Sequence, residues 1–207
     1  MPDQSFKKAS TLPPYIFGEI NSLKQKARHA GEDIIDFGMG NPDRETPKPI
    51  VEKLIETVQN PATHRYSQSI GLPKLRLAMS DWYLRKYNVS LDHENEIVTC
   101  MGSKEGIAHL CMATLSEGDN VLVQSPTYPV HTYGVVIAGA TVEPVTLIDD
   151  LESFLDQIKE KISRKKDKPK MLIINFPSNP TTITCNKAFF EELVNICKKN
   201  EIGRAHV

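Results

Sequence analysis

The sequence predicts an α/β fold in which a mostly parallel β-sheet carries helices on both faces. From about Glu96 onward, compact runs rich in β-branched residues alternate with helical patterns, and turn-forming residues follow each run. Parallel strands that are covered on both faces are near-continuous apolar runs, and helical crossovers usually connect them. The composition, with 40% hydrophobic and 25% charged residues among 207, is typical of a globular protein.

Each predicted strand is a short apolar run that ends in turn residues. The predicted strands of the sheet are residues 97–100, 121–124, 141–145 and 171–175. Between them, apolar residues at helical spacing predict helices over residues 103–115, 130–138 and 151–162. A further helix, with apolar residues from Phe189 to Cys197 on one face, follows the last of these strands.

The first hundred residues contain helical patterns and little strand signal. Helices are predicted from about Phe17 to a stop at Gly31, from about Pro49, and from near Pro73. A short strand is predicted at residues 33–37, before a turn-rich segment. Residues 60–71 show no apolar periodicity and include Tyr66, so we expect a loop there that is a candidate for function.

Charge and composition exclude several classes of partner. The formal net charge of -1 and the isoelectric point near 6.6 create no field that would attract nucleic acid or an acidic membrane surface. No run approaches the roughly 18 consecutive apolar residues of a membrane span, and the N-terminal residues do not open a secretory signal. We therefore expect a cytoplasmic protein that binds small molecules, with neither nucleic acid nor membrane as a partner. The basic run at residues 164–168 is expected to be a solvated loop.

Neither the cysteines nor the histidines have the spacing of a metal site, and no metal is predicted. Reduced core thiols are expected at Cys100, Cys111, Cys185 and Cys197, which lie singly in apolar segments. Surface positions, or core positions with satisfied hydrogen bonds, are expected for His64, His109 and His131.

Polar residues follow three of the predicted strands. Gly102, Ser103 and Lys104 follow the first strand and open a helix, which suits a phosphate but also fits a plain N-cap. Tyr128 follows the second strand and either stacks on a flat cofactor or simply packs. Asn179 follows the fourth strand in a Pro-Ser-Asn-Pro sequence that is otherwise typical of a turn. Because ligands bind where parallel strands end and helices begin, the three segments together predict one ligand site.

These motifs resemble those of the fold-type I aminotransferases of classes I and II, from about Leu12 to Asn200. Besides the three strand ends, the resemblance is carried by Leu12-Pro13-Pro14-Tyr15, Asp36-Phe37-Gly38-Met39-Gly40-Asn41-Pro42-Asp43, Tyr66-Ser67, and Gly71 with Leu75-Arg76. Within the family, the sequence looks most like the bacterial alanine (glutamate to pyruvate) transaminases. Thr182 stands where the usual family sequence Asn-Pro-Thr-Gly has glycine, a departure that alanine-transaminase-like members share.

The resemblance implies a pyridoxal 5'-phosphate cofactor and a role for each matching residue. Ser103 and Lys104 match the turn that binds the cofactor phosphate. Tyr128 matches the aromatic residue that stacks on the pyridine ring, and Asn179 matches the residue that hydrogen-bonds the phenolic oxygen. Tyr66 matches the tyrosine that reaches the phosphate of the neighbouring subunit's cofactor, which implies a homodimer.

The resemblance also implies the substrates. Tyr15 and Gly40 match positions at the substrate, where a glycine amide can approach the α-carboxylate. The full-length enzyme would move an amino group between an amino acid of the glutamate or alanine type and a 2-keto acid. No catalytic residue is assigned in this chain, because the Schiff-base lysine, the aspartate at the pyridine nitrogen and two arginines are expected beyond residue 207. The chain alone is therefore expected to be an inactive N-terminal half.

The implied fold is that of the fold-type I transferases, truncated, with an N-terminal arm and part of the small domain. We expect residues 1–45 to form this arm and small-domain segment, and residues 46–201 to form part of the large cofactor-binding domain. Residues 202–207 are expected to be non-native. Arg204 and His206 fit poorly in a parallel strand buried on both faces, and the tail looks like the translation of a sequencing-library adapter.

Other functions stay open. An aromatic or diaminopimelate aminotransferase or a carbon-sulfur lyase would carry the same motifs, and screening of amino donors and acceptors would separate them. A non-catalytic regulator that senses pyridoxal phosphate is the alternative from another class, but such proteins carry a DNA-binding domain before the resemblance, which begins here near Leu12. An inert fragment that aggregates through an unpaired sheet edge and uncovered apolar faces is a third interpretation.

Overall fold

The computed structural model describes residues 10–38, 40, 42–148, 150–164 and 166–206. These residues form two compact units. The smaller unit is Pro14–Thr99, and the larger unit joins the described residues before it to those from Cys100 onward. The domains expected at residues 1–45 and 46–201 stay a prediction, because compactness alone does not define the domains of the family.

A four-stranded parallel sheet forms the centre of the larger unit. Its strands are β1 (Asn120–Ser125), β2 (Thr141–Thr146), β3 (Met171–Ile174) and β4 (Gly203–His206). They lie in the order β2-β1-β3-β4, and every neighbouring pair is parallel. The predicted parallel sheet is therefore confirmed, and the bounds of β1, β2 and β3 differ from the predicted ones by about one residue.

The helices begin and end close to the predicted residues. In chain order they are α1 (Ile16–His29), α2 (Lys48–Val58), α3 (Pro73–Tyr87), α4 (Ser103–Thr114), α5 (Pro129–Ala138), α6 (Leu151–Ser163) and α7 (Lys187–Lys199). Local signals explain the agreement: Gly139 ends α5 with a φ of 91°, and the Asp150 carboxylate accepts from two amides in the first turn of α6. Within the described part of the chain, no helix combines the length and apolar character that crossing a membrane requires.

The core of the larger unit consists of two apolar clusters, one on each face of the sheet. Side chains alternate along β1, so Leu122 belongs to one cluster while Val121 and Val123 belong to the other. The Leu122 cluster is completed by residues of α6 and α7, including Phe154 and Phe189, whose rings stack 6.3 Å apart. Residues of α4 and α5 complete the second cluster. Helices thus cover both faces, as predicted.

Two predicted strands, at residues 33–37 and 97–100, are wrong. Neither segment pairs with another strand among the residues that the structure describes. The Thr99 amide instead donates to the Ile70 carbonyl at 3.1 Å. A strand needs a neighbour that takes up its backbone hydrogen bonds, so an apolar pattern alone does not produce one.

β4 lies at the edge of the sheet and contains most of the tail at residues 202–207. Ala205 is its buried residue, whereas Arg204 and His206 are exposed. The expectation that these two residues fit poorly in a strand buried on both faces stays a prediction, because β4 is an edge strand that leaves both side chains in contact with water. The non-native origin of the tail stays a prediction, and re-sequencing the source transcript tests it.

The smaller unit buries few of its side chains. Among its described residues, the buried ones are Gly71, Arg76 and Ile97. Phe37 and the apolar residues of α2 are exposed. Exposed apolar faces of this kind promote association, and aggregation of the isolated chain stays a prediction.

The cysteines are free thiols. Cys111 and Cys197 are fully buried and Cys185 is half-buried, and burial raises the pKa of all three thiols. Cys100 is exposed, so the prediction of a core thiol is wrong there. Its segment does not enter the sheet, and the side chain therefore does not reach the core.

Candidate functional site

The neighbouring strands β1 and β3 end beside a cavity of about 510 Å³. Its lining residues are Gly102, Ser103, Lys104, Tyr128, His131, Asn175, Pro177 and Asn179. The structure therefore brings together four of the predicted cofactor residues, although they come from three separate segments: Ser103, Lys104, Tyr128 and Asn179.

Ser103 and Lys104 stand in the first turn of α4, at the wall of the cavity. The preceding Gly102 has a φ of 89° and a ψ of 160°, a conformation that is open essentially to glycine alone. It has no side chain that could cap the first amides of α4, and the Glu105 carboxylate accepts instead from the Met101 amide. Backbone N–H groups and the positive end of the helix dipole are thus placed to bind an anion such as a phosphate.

Tyr128 occupies the N-cap position of α5 and is half-buried. The Lys104 ammonium lies 5.5 Å from the centroid of its ring, which is a cation–π contact. The His131 ring stands nearly edge-on to it, with 6.3 Å between the ring centroids and an angle of 69° between the planes. Tyr128 therefore offers an aromatic surface beside a positive charge, which suits a flat ligand that carries negative charge.

Asn179 lies in the loop that follows β3, where it is exposed at the cavity. Its backbone amide donates to Oδ1 of Asn175 at 2.9 Å, which ties Asn179 to the first residue of the loop. The Asn179 carboxamide can both donate and accept a hydrogen bond. It is thus suited to a ring hydroxyl or to the anion of that hydroxyl.

His131 is a cavity residue to which the sequence assigned no role. It is 1% exposed, and its Nδ1 lies 2.5 Å from the Thr127 hydroxyl. Its Nε2 is buried without a hydrogen-bond partner among the described residues, so the prediction of a satisfied core histidine is wrong. The spacing of three residues from Tyr128 places both side chains on one face of the helix, and this signal could have identified His131.

The other two histidines for which a position was predicted, His64 and His109, are at the surface, as predicted. His64 is exposed, with Nε2 2.8 Å from the Val58 carbonyl. His109 is also exposed, and its Nδ1 lies 3.8 Å from the Glu105 carboxylate. The part of the chain that the structure describes contains no group of three or more side chains that could hold a metal ion.

The burial of His131 predicts a pH dependence of stability. Desolvation holds the pKa of this imidazole below its ordinary value of 6.5. The unfolded chain therefore takes up a proton at a higher pH than the folded chain, and the free energy of unfolding falls as the pH decreases below 6.5. The slope from one proton is at most about 1.4 kcal/mol per pH unit.

Urea unfolding of His131→Gln, measured from about pH 8 to about pH 5, should show a flatter slope than the unchanged chain. His109→Gln is the control, because His109 is exposed. The carboxylates of Asp36, Asp92, Asp119 and Glu143, whose pKa values are lowered, affect stability mainly below about pH 5, and they do so alike in the variant and the unchanged chain. An identical slope in His131→Gln and the unchanged chain would count against this assignment.

Thr182, which replaces the usual family glycine, adopts a left-handed conformation with a φ of 61°. A β-branched residue in this region costs about 1–2 kcal/mol, whereas the added flexibility of glycine in the unfolded chain costs about 0.5–1 kcal/mol. Thr182→Gly should therefore raise the free energy of unfolding by about 0.5–1 kcal/mol, measured from denaturant midpoints. Thr182→Ala, which lacks this freedom, should not produce the gain, and a destabilised glycine variant would contradict the prediction.

The remaining predicted site residues belong to the smaller unit. Tyr66 is fully exposed, and it lies in the predicted loop beyond a 3-10 helix at Pro61–Thr63. Tyr15 is the N-cap residue of α1, and its ring lies 5.6 Å from that of Phe17. Apart from its chain neighbours, no atom of the described residues lies within 4 Å of the position that a Cβ would occupy at Gly40, so the backbone there is open on the described side.

Comparison with known proteins decides the family. The sequence profile described as aminotransferase class I and II matches residues 32–203. The chain belongs to this family. The matched part of this aminotransferase chain includes Ser103, Lys104, Tyr128 and Asn179, the four predicted residues that meet at the cavity.

The curated relatives of this aminotransferase chain include two functional groups. The chain is 48% identical over 205 residues to the glutamate-pyruvate aminotransferase AlaC of Escherichia coli, covering 99% of this chain and 50% of that protein. It is 42% identical over 193 residues to an LL-diaminopimelate aminotransferase of Maridesulfovibrio salexigens, covering 93% of this chain and 50% of that protein. The chain spans about half the length of these relatives. The resemblance to bacterial alanine transaminases is confirmed.

Solved structures confirm the fold of the aminotransferase chain. An aspartate aminotransferase of Thermotoga maritima superposes with a TM-score of 0.84 and 26% identity, over 96% of this chain and 52% of that one. BacF of Bacillus subtilis superposes with a TM-score of 0.82 and 29% identity, over 97% of this chain and 50% of that one. The predicted fold of the pyridoxal-phosphate-dependent aminotransferases is therefore correct.

The residues of the cavity fit pyridoxal phosphate, the cofactor that the family implies. The first turn of α4, with Ser103 and Lys104, suits a phosphate dianion, and Tyr128 suits an aromatic ring. Asn179 suits the ring hydroxyl. The Nε2 of His131, which is buried and has no hydrogen-bond partner among the described residues, independently indicates that this cavity is built to receive a further polar group.

Proposed function

We propose that this chain forms the cofactor-binding part of a pyridoxal-phosphate-dependent aminotransferase. The enzyme would move an amino group between an amino acid of the glutamate or alanine type and a 2-keto acid. The observation that carries the proposal is the single cavity in which Ser103, Lys104, Tyr128 and Asn179 meet. Ser103 and Lys104 suit the phosphate of one cofactor, Tyr128 suits its ring, and Asn179 suits its phenolic oxygen.

The residues of this chain would bind and orient the cofactor. Ser103 and the first-turn amides of α4 would bind the phosphate, with the Lys104 ammonium adding positive charge nearby. Tyr128 would stack on the pyridine ring and set its tilt, and Asn179 would donate a hydrogen bond to the phenolic oxygen and stabilise its anion. When bound, the cofactor supplies an electron sink for the bonds at the substrate's α-carbon.

Proton transfer at the α-carbon would be the task of a lysine outside this chain. We place that lysine in the half of the relatives' length that this chain does not span. The isolated chain would therefore bind the cofactor reversibly and would catalyse no transamination.

The smaller unit would contribute to the substrate and to the neighbouring subunit. The open backbone at Gly40 supports an approach of the substrate's α-carboxylate. Tyr15, at the N-cap of α1, would also contact the substrate. The full exposure of Tyr66 supports a contact outside its own subunit, at the phosphate of a homodimer partner's cofactor. We also propose that the enzyme acts in the cytoplasm, since its cysteines are free thiols, as is usual in a reducing compartment.

A second specificity has support from the comparisons. The LL-diaminopimelate aminotransferase of Maridesulfovibrio salexigens is 42% identical to this chain, against 48% for the glutamate-pyruvate enzyme. The higher identity to the glutamate-pyruvate enzyme favours alanine and glutamate as the amino donors, and diaminopimelate stays the alternative donor. Because the cofactor residues serve both reactions, only substrate kinetics separate the two.

The test uses the complete gene product saturated with pyridoxal phosphate. We expect alanine with 2-oxoglutarate, and glutamate with pyruvate, to be converted with a higher kcat/KM than LL-diaminopimelate with 2-oxoglutarate. A preference for LL-diaminopimelate would replace the first specificity by the second. If the protein binds pyridoxal phosphate but transaminates none of the donors, the non-catalytic regulator is the better interpretation. If the protein does not bind pyridoxal phosphate, the proposal is overturned.

A further inference from the structure

Gln124 is a buried polar residue near the carboxyl end of the core strand β1. It lies on β1 after the buried Leu122 and Val123, and it is 1% exposed. A buried carboxamide is costly unless both of its ends are hydrogen-bonded, so a side chain of this kind needs specific partners. An apolar residue would meet the needs of the strand alone.

Both ends of the Gln124 carboxamide bind the loop that follows the neighbouring strand β3. Its Nε2 donates to the Ser178 hydroxyl at 2.8 Å, and its Oε1 accepts from the Asn175 amide at 3.0 Å. Ser178 is itself buried. A single side chain of β1 thus fixes two positions of the loop, on either side of Phe176 and Pro177.

The same loop positions Asn179 through its own hydrogen bonds. Oδ1 of Asn175 accepts from the Asn179 amide at 2.9 Å. The Ser178 amide donates to the Ile183 carbonyl at 2.9 Å, and its carbonyl accepts from the Thr182 amide at 2.7 Å. Asn179 therefore follows directly on the two residues that Gln124 holds, and it is the member of this group that stands exposed at the cavity.

We propose that Gln124 is a positioning residue for Asn179: its two hydrogen bonds across the sheet hold the loop so that the Asn179 carboxamide meets the cofactor. The proposal rests on the proposed function. Gln124 does not line the cavity among the described residues, so it acts through Asn175 and Ser178 rather than by contact with the ligand.

The chain offers a matched control in Gln157. Its carboxamide also bonds at both ends, donating to the Thr146 carbonyl at 2.9 Å and accepting from the Thr146 amide at 3.1 Å. These bonds tie α6 to the end of the edge strand β2 and involve none of the residues that line the cavity. Gln157→Met and Gln124→Met therefore each remove two carboxamide hydrogen bonds, but only Gln124→Met removes bonds to the loop. The bonds of Gln157 are more exposed to solvent than those of Gln124, so Gln157→Met controls for the substitution itself and not for burial.

The first measurement is amide hydrogen exchange in the complete protein without cofactor. In Gln124→Met, the amides of Asn175 and Asn179 should exchange roughly tenfold faster or more, as expected when one or two hydrogen bonds are lost. In Gln157→Met these two amides should keep their rates. Unchanged rates in Gln124→Met would overturn the proposal, and this measurement decides it even if the protein binds no pyridoxal phosphate and the proposed function fails.

The second measurement is the affinity for pyridoxal phosphate, together with the pH at which the visible absorption of the bound cofactor changes. Gln124→Met should weaken binding about tenfold and shift that pH in the same direction as Asn179→Ala, while Gln157→Met does neither. In the double variant, Gln124→Met should add little to Asn179→Ala. Gln124 would have only a structural role if the losses of affinity in Gln124→Met and Asn179→Ala added fully in the double variant. The same conclusion would follow if Gln124→Met and Gln157→Met weakened binding equally.

Ser178→Ala keeps the proposal testable if Gln124→Met does not fold. It removes one of the two bonds of Gln124 and leaves the bond to Asn175 in place. We expect faster exchange at Asn179 and a smaller loss of affinity than in Gln124→Met. An unchanged Asn179 amide and an unchanged affinity in Ser178→Ala would overturn the proposal.

Discussion

Replacing Gly102 by alanine is expected to weaken the binding of pyridoxal phosphate by about 10- to 100-fold. Gly102 has a φ of 89° and a ψ of 160°, and a non-glycine residue held there stores about 1–3 kcal/mol of strain. The chain can relieve this strain by rotating the peptide that precedes Ser103. That rotation moves the first amides of α4 away from the phosphate, so strain in the backbone becomes a loss of affinity.

Apart from its two chain neighbours, no atom of the described residues lies within 4 Å of the position that an added Cβ would occupy at Gly102, so steric overlap with the rest of the described structure does not contribute to this effect. Gly118 is a matched control, because its φ is 92° and its Cβ position is equally open. It precedes β1, at the opposite end of the strand from the cavity. Gly118→Ala should lower stability without changing affinity, measured by cofactor titration of both variants. Equal losses of affinity in the two variants would refute the role of Gly102.

Replacing Arg76 by methionine is expected to lower the stability of the smaller unit by about 3 kcal/mol. Arg76 is 2% exposed, and its guanidinium donates to the carbonyls of Gly71 and His93. It also contacts the Glu94 carboxylate at 3.4 Å. Methionine has a similar length but no donor, so these acceptors lose their partner inside a unit that buries few other residues.

Trp82 provides the measurement for Arg76. It is the single tryptophan of the chain and lies in α3, the helix that contains Arg76. Its fluorescence during denaturant unfolding reports on the smaller unit, and the midpoint should fall in Arg76→Met and fall less in Arg76→Lys. Glu94→Gln should change the free energy of unfolding by less than about 1 kcal/mol, because the Glu94 side chain is 57% exposed. If Glu94→Gln lowered the free energy of unfolding more than Arg76→Met, the ion pair with Glu94, and not the bonds to the carbonyls, would be the main contribution of Arg76.

Much of the larger unit could be predicted from the sequence because its signals are local. The apolar runs at Val121, Val142 and Met171 predicted strands, and the observed bounds differ by about one residue. The glycine at 139 and the acidic residue at 150 stop and start helices through contacts within one turn. Similar local patterns at residues 33–37 and 97–100 did not produce strands, since pairing depends on a second segment.

In the candidate site, too, the residues with local signals could be predicted and the others could not. Ser103, Lys104, Tyr128 and Asn179 could be predicted, because each follows a predicted strand and matches a family motif. Gln124 could not be assigned a role, because a polar residue within an apolar pattern has the same appearance whether its partners exist or not. The sequence also assigned His131 no role, although its spacing of three residues from Tyr128 was a signal. The partner of Nδ1 of His131 is Thr127, four positions earlier in the sequence. The two partners of Gln124 lie 51 and 54 positions away, so no local pattern could reveal them.

The sequence by itself determined the α/β class, the parallel sheet and the aminotransferase family, since apolar periodicity and short motifs are properties of consecutive residues. The tertiary structure alone decided which polar groups have partners. It buried Arg76 and Gln124 with their acceptors and donors, left Nε2 of His131 without one among the described residues, and held Thr182 in a left-handed conformation. The physical reason is that desolvation and hydrogen bonding depend on which segments meet in space, and chain order does not encode these meetings locally.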